Sequence, residues 1–88
     1  MAELQKDIKN LYGLVRVLED ASADDATKAN AARVLGNIAA ASYADNRAVV
    51  AAGAIPLLVE VLSGGSEWGR EMAANALSNL AALGSPDI

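Results

Sequence analysis

The chain has 88 residues, a formal net charge of −4 and a pI near 4.5, which suits one small domain and argues against binding nucleic acid through bulk charge. Hydrophobic residues make up 53% but aromatics only 3%, with no Phe, so the expected core is built from Ala, Val, Leu and Ile. There is no Cys and no His, which removes disulfides, thiolate chemistry and the commonest metal ligand and general base. No catalytic residue, metal site or cofactor is expected. No apolar run reaches the roughly 20 residues a membrane span needs. The opening MAELQKDIKN is too polar for a signal peptide. The expected setting is the cytoplasm, with the nucleus as an alternative, and neither a membrane nor a nucleic acid is expected as partner.

Leu4, Ile8, Leu11, Val15 and Leu18 fall in steps of four and three, one apolar stripe on a helix interrupted only by Gly13. EDASADD ends that helix, and Asp24 or Asp25 is placed to cap the next. The second helix runs through ATKANAARVLGNIAAA to about Ser42. SYADN reads as a turn, with Asp45 as the expected cap of a short helix, NRAVVAA. Gly53 stops it, because glycine tolerates positive φ. Pro56 sits in the first turn of IPLLVEVL, where its missing N–H costs little. SGGS breaks the chain again, Ser66 offers a soft cap, and a last helix covers about 67–83. No alternation of period two persists, so the expected class is all-α.

The chain repeats itself. LVRVL at Leu14 matches LVEVL at Leu58, 44 residues on, and AARVLGNIAA at Ala31 matches AANALSNLAA at Ala73, 42 residues on. The difference of two falls in the EDASADDA loop. A period near 42 fits helical repeats of the roughly 40–47-residue class, here a short, a medium and a long helix.

Residues 46–82 resemble one complete armadillo repeat in three features: the short first helix, the AGAIPLLV join with its Gly and Pro, and the ALSNLA ending. The resemblance implies a right-handed armadillo-type α-solenoid. It divides the chain into a partial repeat at 1–42, a complete repeat at 43–83 and the start of a third at 84–88. In the first copy Lys9 and Tyr12 stand where Gly53 and Pro56 break the second. One unbroken capping helix is therefore expected over 3–19, its Glu3, Gln5, Lys6, Asp7 and Lys9 facing solvent, as a terminal repeat requires.

At about 100° per residue the last helix gathers Ala73, Ala76, Leu77 and Leu80 into a core stripe. It gathers Trp68, Met72, Asn75 and Asn79 into a second ridge. The equivalent ridge of the earlier long helix is Ala26, Asn30, Arg33 and Asn37. By resemblance these ridges line a concave groove that holds an extended peptide, with Asn37 and Asn79 hydrogen-bonding its main chain. A primary amide offers two donors and an acceptor, which matches an extended backbone. Nuclear-import adaptors carry a tryptophan four residues before that Asn; Arg33 and Asn75 stand there instead, so a nuclear localisation signal is not the expected ligand, and Arg33 favours an acidic one. Against this stands the simpler reading that Asn79 is satisfied locally and Arg33 is solvated. Trp68 and Met72 are either a groove anchor or packing at the end of the stack. The alternative function is structural: a homo-oligomer, a stretch of a longer array or an engineered minimal unit, associating through its open repeat ends, with Leu58 and Leu62 at the contact.

Overall fold

The computed structural model describes residues 2–83, and the side chains of 11–82. The stripe residues Leu4 and Ile8, the side chains expected to face solvent at positions 3–9, and the tail 84–88 lie outside the described residues. Five helices follow in order: α1 Ala2–Glu19, α2 Asp25–Ala41, α3 Tyr43–Ala51, α4 Ala54–Gly64 and α5 Glu67–Leu83. No strand occurs among the described residues.

Local chemistry accounts for the boundaries. The α1–α2 link is tied by Asp20, whose Oδ1 accepts from the Ser22 N–H at 2.9 Å and from its hydroxyl at 2.7 Å. Asp24 caps α2, accepting from the Thr27 N–H at 2.8 Å. Ser42, extended at φ −162°, ends α2 and caps α3 by accepting the Asp45 N–H at 3.0 Å. The cap is therefore Ser42 and not Asp45. The α2–α3 link is a single residue, so α3 begins at Tyr43 and Asp45 falls inside its first turn. Gly53 sits at φ 84°, the one positive φ among the described residues. It turns the chain by 77° between α3 and α4. Pro56 lies in the first turn of α4, where the backbone N–H has no intrahelical acceptor anyway. At α5, Ser66 Oγ accepts the Gly69 N–H at 3.2 Å. In α1, where Lys9 and Tyr12 replace this Gly and Pro, the helix runs on without a break.

Hydrogen bonds from Ser22 hold the Asp20 carboxyl below its ordinary pKa, and those from Thr27 do the same for Asp24. Both favour the ionised form, so the cap on α2 is complete above the usual carboxylate range and weakens as pH falls through the lowered value. Asp24→Asn, which keeps the acceptor, is expected to abolish this acid sensitivity. Hydrogen exchange at the Thr27 amide across the acid range checks it.

The core is aliphatic. Leu11, Val15 and Leu18 of α1 meet Ala31, Ala32, Leu35 and Ala39 of α2, Val49 of α3, Leu58 and Val61 of α4, and Ala73, Ala76 and Leu80 of α5. Helix α2 packs most extensively on α5, and α1 packs on both α2 and α4. The long helices α2 and α5 thus lie side by side, as do α1 and α4. The short α3 closes one end against α2, α4 and α5. No single described helix is long and apolar enough to cross a membrane; α3 and α4 pass that test only jointly, across their 77° bend.

Candidate functional site

The site grows out of the α2–α5 crossing. Small residues let these helices approach closely: a Cβ at Gly36 would stand 3.0 Å from the Ala76 Cα and 3.1 Å from its Cβ. One turn further on, the closeness brings Asn79 onto α2. Its Nδ2 donates to the Gly36 carbonyl at 3.1 Å. Asn79 is half-buried as a result, whereas Asn37, its sequence equivalent, is exposed. The difference follows from position: α5 has α2 beside it, and no described helix stands on the corresponding side of α2.

One polar side chain carries a role that the repeat comparison missed. Asn46 of α3 is 1% exposed, the single buried polar residue described, and its Nδ2 faces three carbonyls: Ala39 at 3.3 Å, Asn79 at 3.4 Å and Leu80 at 3.2 Å. The last carbonyls of any α-helix lack an intrahelical partner. Asn46 supplies donors to the ends of both long helices at once and so fixes how α2 and α5 finish relative to each other. A signal existed in the sequence. Asn46 stands three residues before the buried Val49, on the same face of a short helix, where an amide must find partners.

The two ridges are on the surface. On α2, Ala26, Asn30, Arg33 and Asn37 are exposed; on α5, Trp68 and Asn75 are exposed and Met72 and Asn79 half-buried. Trp68 keeps 42% of its surface accessible, and Met72 packs against the core edge. Of the two residues expected to mediate self-association, Leu62 is exposed but Leu58 is fully buried, 0% accessible. Leu58 points inward because it shares a face with Ala54 and Val61; the outward residue beside it is Val59, 44% exposed. A separate surface feature joins Arg47 and Tyr43: the guanidinium lies 5.7 Å from the ring centroid, and its Nη1 donates to the phenol oxygen at 3.2 Å.

The architecture is that of an α-solenoid, in which like helices of successive repeats stack beside one another. Residues 45–82, running from within α3 to near the end of α5, match the sequence model of the Armadillo/beta-catenin-like repeat. Neither a curated protein nor a solved structure matches the chain significantly. Armadillo repeats are in general protein-interaction modules, and the match over 45–82 is a likeness to that class.

Proposed function

We propose that the chain binds an extended peptide across the exposed ridges of α2 and α5, with a preference for acidic side chains. The observation that carries this reading is the Asn79–Gly36 bond, which brings the amide of one repeat to the residue preceding Asn37 of the other. Asn79 spends one donor there and retains a second N–H and its Oδ1; Asn37 is exposed. Packed helices stand about 8–10 Å apart, close to the span of about three residues of an extended strand. Asn37 and Asn79 can therefore hold main-chain groups of one peptide at that interval. Arg33, one turn before Asn37 and exposed, supplies a bidentate donor for a carboxylate. Asn30, Asn75, Met72 and Trp68 line the remainder of the same path.

Trp68 is the single tryptophan and lies on this ridge, so its fluorescence reports occupancy. In titrations with peptides of equal length and acidic, neutral or basic side chains, the acidic series should bind tightest and weaken with salt. Asn37→Ala should weaken it about tenfold, one lost hydrogen bond's worth, and Arg33→Glu should reverse the charge preference. Asn37 is the cleaner variant because Asn79 also joins α2 to α5. Absence of peptide binding, or binding indifferent to both substitutions, overturns the reading.

A further inference from the structure

Residues that are buried in the first copy have exposed equivalents in the second. Val15 and Leu18, 5% and 4% accessible, correspond to Val59 and Leu62, 44% and 37% accessible. Along the long helices the buried Ala32, Gly36 and Ala39 correspond to the exposed Ala74, Ser78 and Ala81, and the fully buried Leu35 to the half-buried Leu77. The reverse holds on the opposite side. Leu58, Val61, Ala76 and Leu80, all buried in the second copy, correspond to Leu14, Val17, Val34 and Ile38, all half-exposed in the first. Among the described residues the molecule thus presents one half of its own inter-repeat contact at each end.

We propose that a second copy of this chain docks head-to-tail, its Leu14–Val17–Val34–Ile38 face covering the Val59–Leu62–Leu77–Ser78 face of the first. What identifies the occupant is continuity: the internal contact between the repeats already joins this pair of faces, with the same residue or another aliphatic one at most positions. The contact is heterologous, so it propagates instead of closing into a two-fold dimer. Its charges are of mixed sign, three acids (Glu67, Asp20, Asp24) about two arginines (Arg70, Arg16). Lys28 lines the same cleft as Gly64, Ser66 and Glu60 at the internal joint. The equivalent cleft between copies brings Arg70 of the first to Asp20 and Asp24 of the second, with Arg16 of the second beside Glu67 of the first. Asn37 of the second copy comes to the Ser78 carbonyl as Asn79 comes to that of Gly36.

One place in the contact is worse than its template. The internal crossing is made by Gly36 against Ala76, where a Cβ at position 36 would stand a tight 3.0 Å from the Ala76 Cα. Its equivalent is Ser78 against Val34, two larger side chains, which hold the helices apart. Association is accordingly weak, and Ser78→Gly with Val34→Ala, which rebuilds the internal pair, should tighten it.

Sedimentation velocity over a micromolar-to-millimolar series tests this. The native chain should shift from monomer toward open-ended oligomers. The Ser78→Gly/Val34→Ala variant should do so at about tenfold lower concentration, relief of overpacking being of that order. Val59→Glu or Leu62→Glu on one face, and Val34→Glu on the other, should each stop growth beyond the monomer, with circular dichroism confirming the helices. An equimolar mixture of Leu62→Glu with Val34→Glu should give a 1:1 heterodimer, because one partner keeps each intact face. A native chain that stays monomeric throughout overturns the proposal. So does a closed dimer abolished by Leu62→Glu and untouched by Val34→Glu, which would mean that like faces meet. Should every charged variant unfold, a double variant no tighter than the native chain overturns it alone. The sedimentation series is run without peptide, so it reads assembly alone, whereas peptide binding is read by titration on the ridges of α2 and α5.

Discussion

Replacing Asn46 by alanine is expected to lower stability by about 3 kcal/mol, since it strips buried carbonyls of their donor and leaves a small cavity. In a chain of this length that lowers the melting temperature by roughly 10–20 °C. The loss should be local in its first effect. Amides in the last turns of α2 and α5 should exchange faster before the α1 amides do, because the Ala39, Asn79 and Leu80 carbonyls are the groups left bare. Asn46→Asp separates donation from packing. It conserves shape but sets a carboxylate against three carbonyl oxygens, so the loss should exceed that of alanine at neutral pH. Burial and those oxygens raise the pKa of the introduced acid, so the deficit shrinks as pH falls toward about 4 and the group accepts a proton. Asn75→Ala, on the exposed side of α5, should change stability by less than about 0.5 kcal/mol. Urea titration of all three variants checks the order. An Asn46→Ala protein as stable as the native chain would remove the tie assigned to this residue.

The second large effect concerns glycines that look alike in the sequence. Gly36→Leu should cost about 3 kcal/mol or more, because the new side chain has no space against Ala76 and must part α2 from α5, breaking the Asn79–Gly36 bond with them. Gly13→Ala should stabilise by about 0.5–1 kcal/mol, since nothing lies within 4 Å of the added Cβ and alanine is the better helix former. Gly36→Ala falls between, a propensity gain of about 1 kcal/mol set against overpacking of about 1–3 kcal/mol. Denaturation midpoints of the three variants decide it: the sign must differ between Gly13→Ala and Gly36→Leu.

These two residues mark the line between what was legible in the chain and what was not. Helix type and order were legible because they rest on local chemistry. The apolar period of α1, the Asp24 cap, the Gly53–Pro56 break and its absence at Lys9 and Tyr12 each act over a few residues. The repeat was legible because equal sequence at a spacing of 42 to 44 implies equal structure. The cap of α3 was not legible, because Ser42 and Asp45 are both good capping residues and only the length of the link decides between them.

What the tertiary structure alone decided is how equivalent residues come to differ. Asn37 and Asn79 are the same residue at the same place in two copies, and the chain offers no reason to separate them; α2 lies beside α5, and so Asn79 is engaged while Asn37 is exposed. Leu58 and Val59 are adjacent aliphatics, and the rotation of α4 against its neighbours sends the first inward and the second out. Asn46 binds carbonyls 7, 33 and 34 residues away, contacts that no local pattern encodes. The sequence by itself determined the helices and their repetition, because propensity, capping and period are short-range. Burial, and therefore which amide ties helix to helix and which stays exposed, was decided by the stacking of helices distant in the chain.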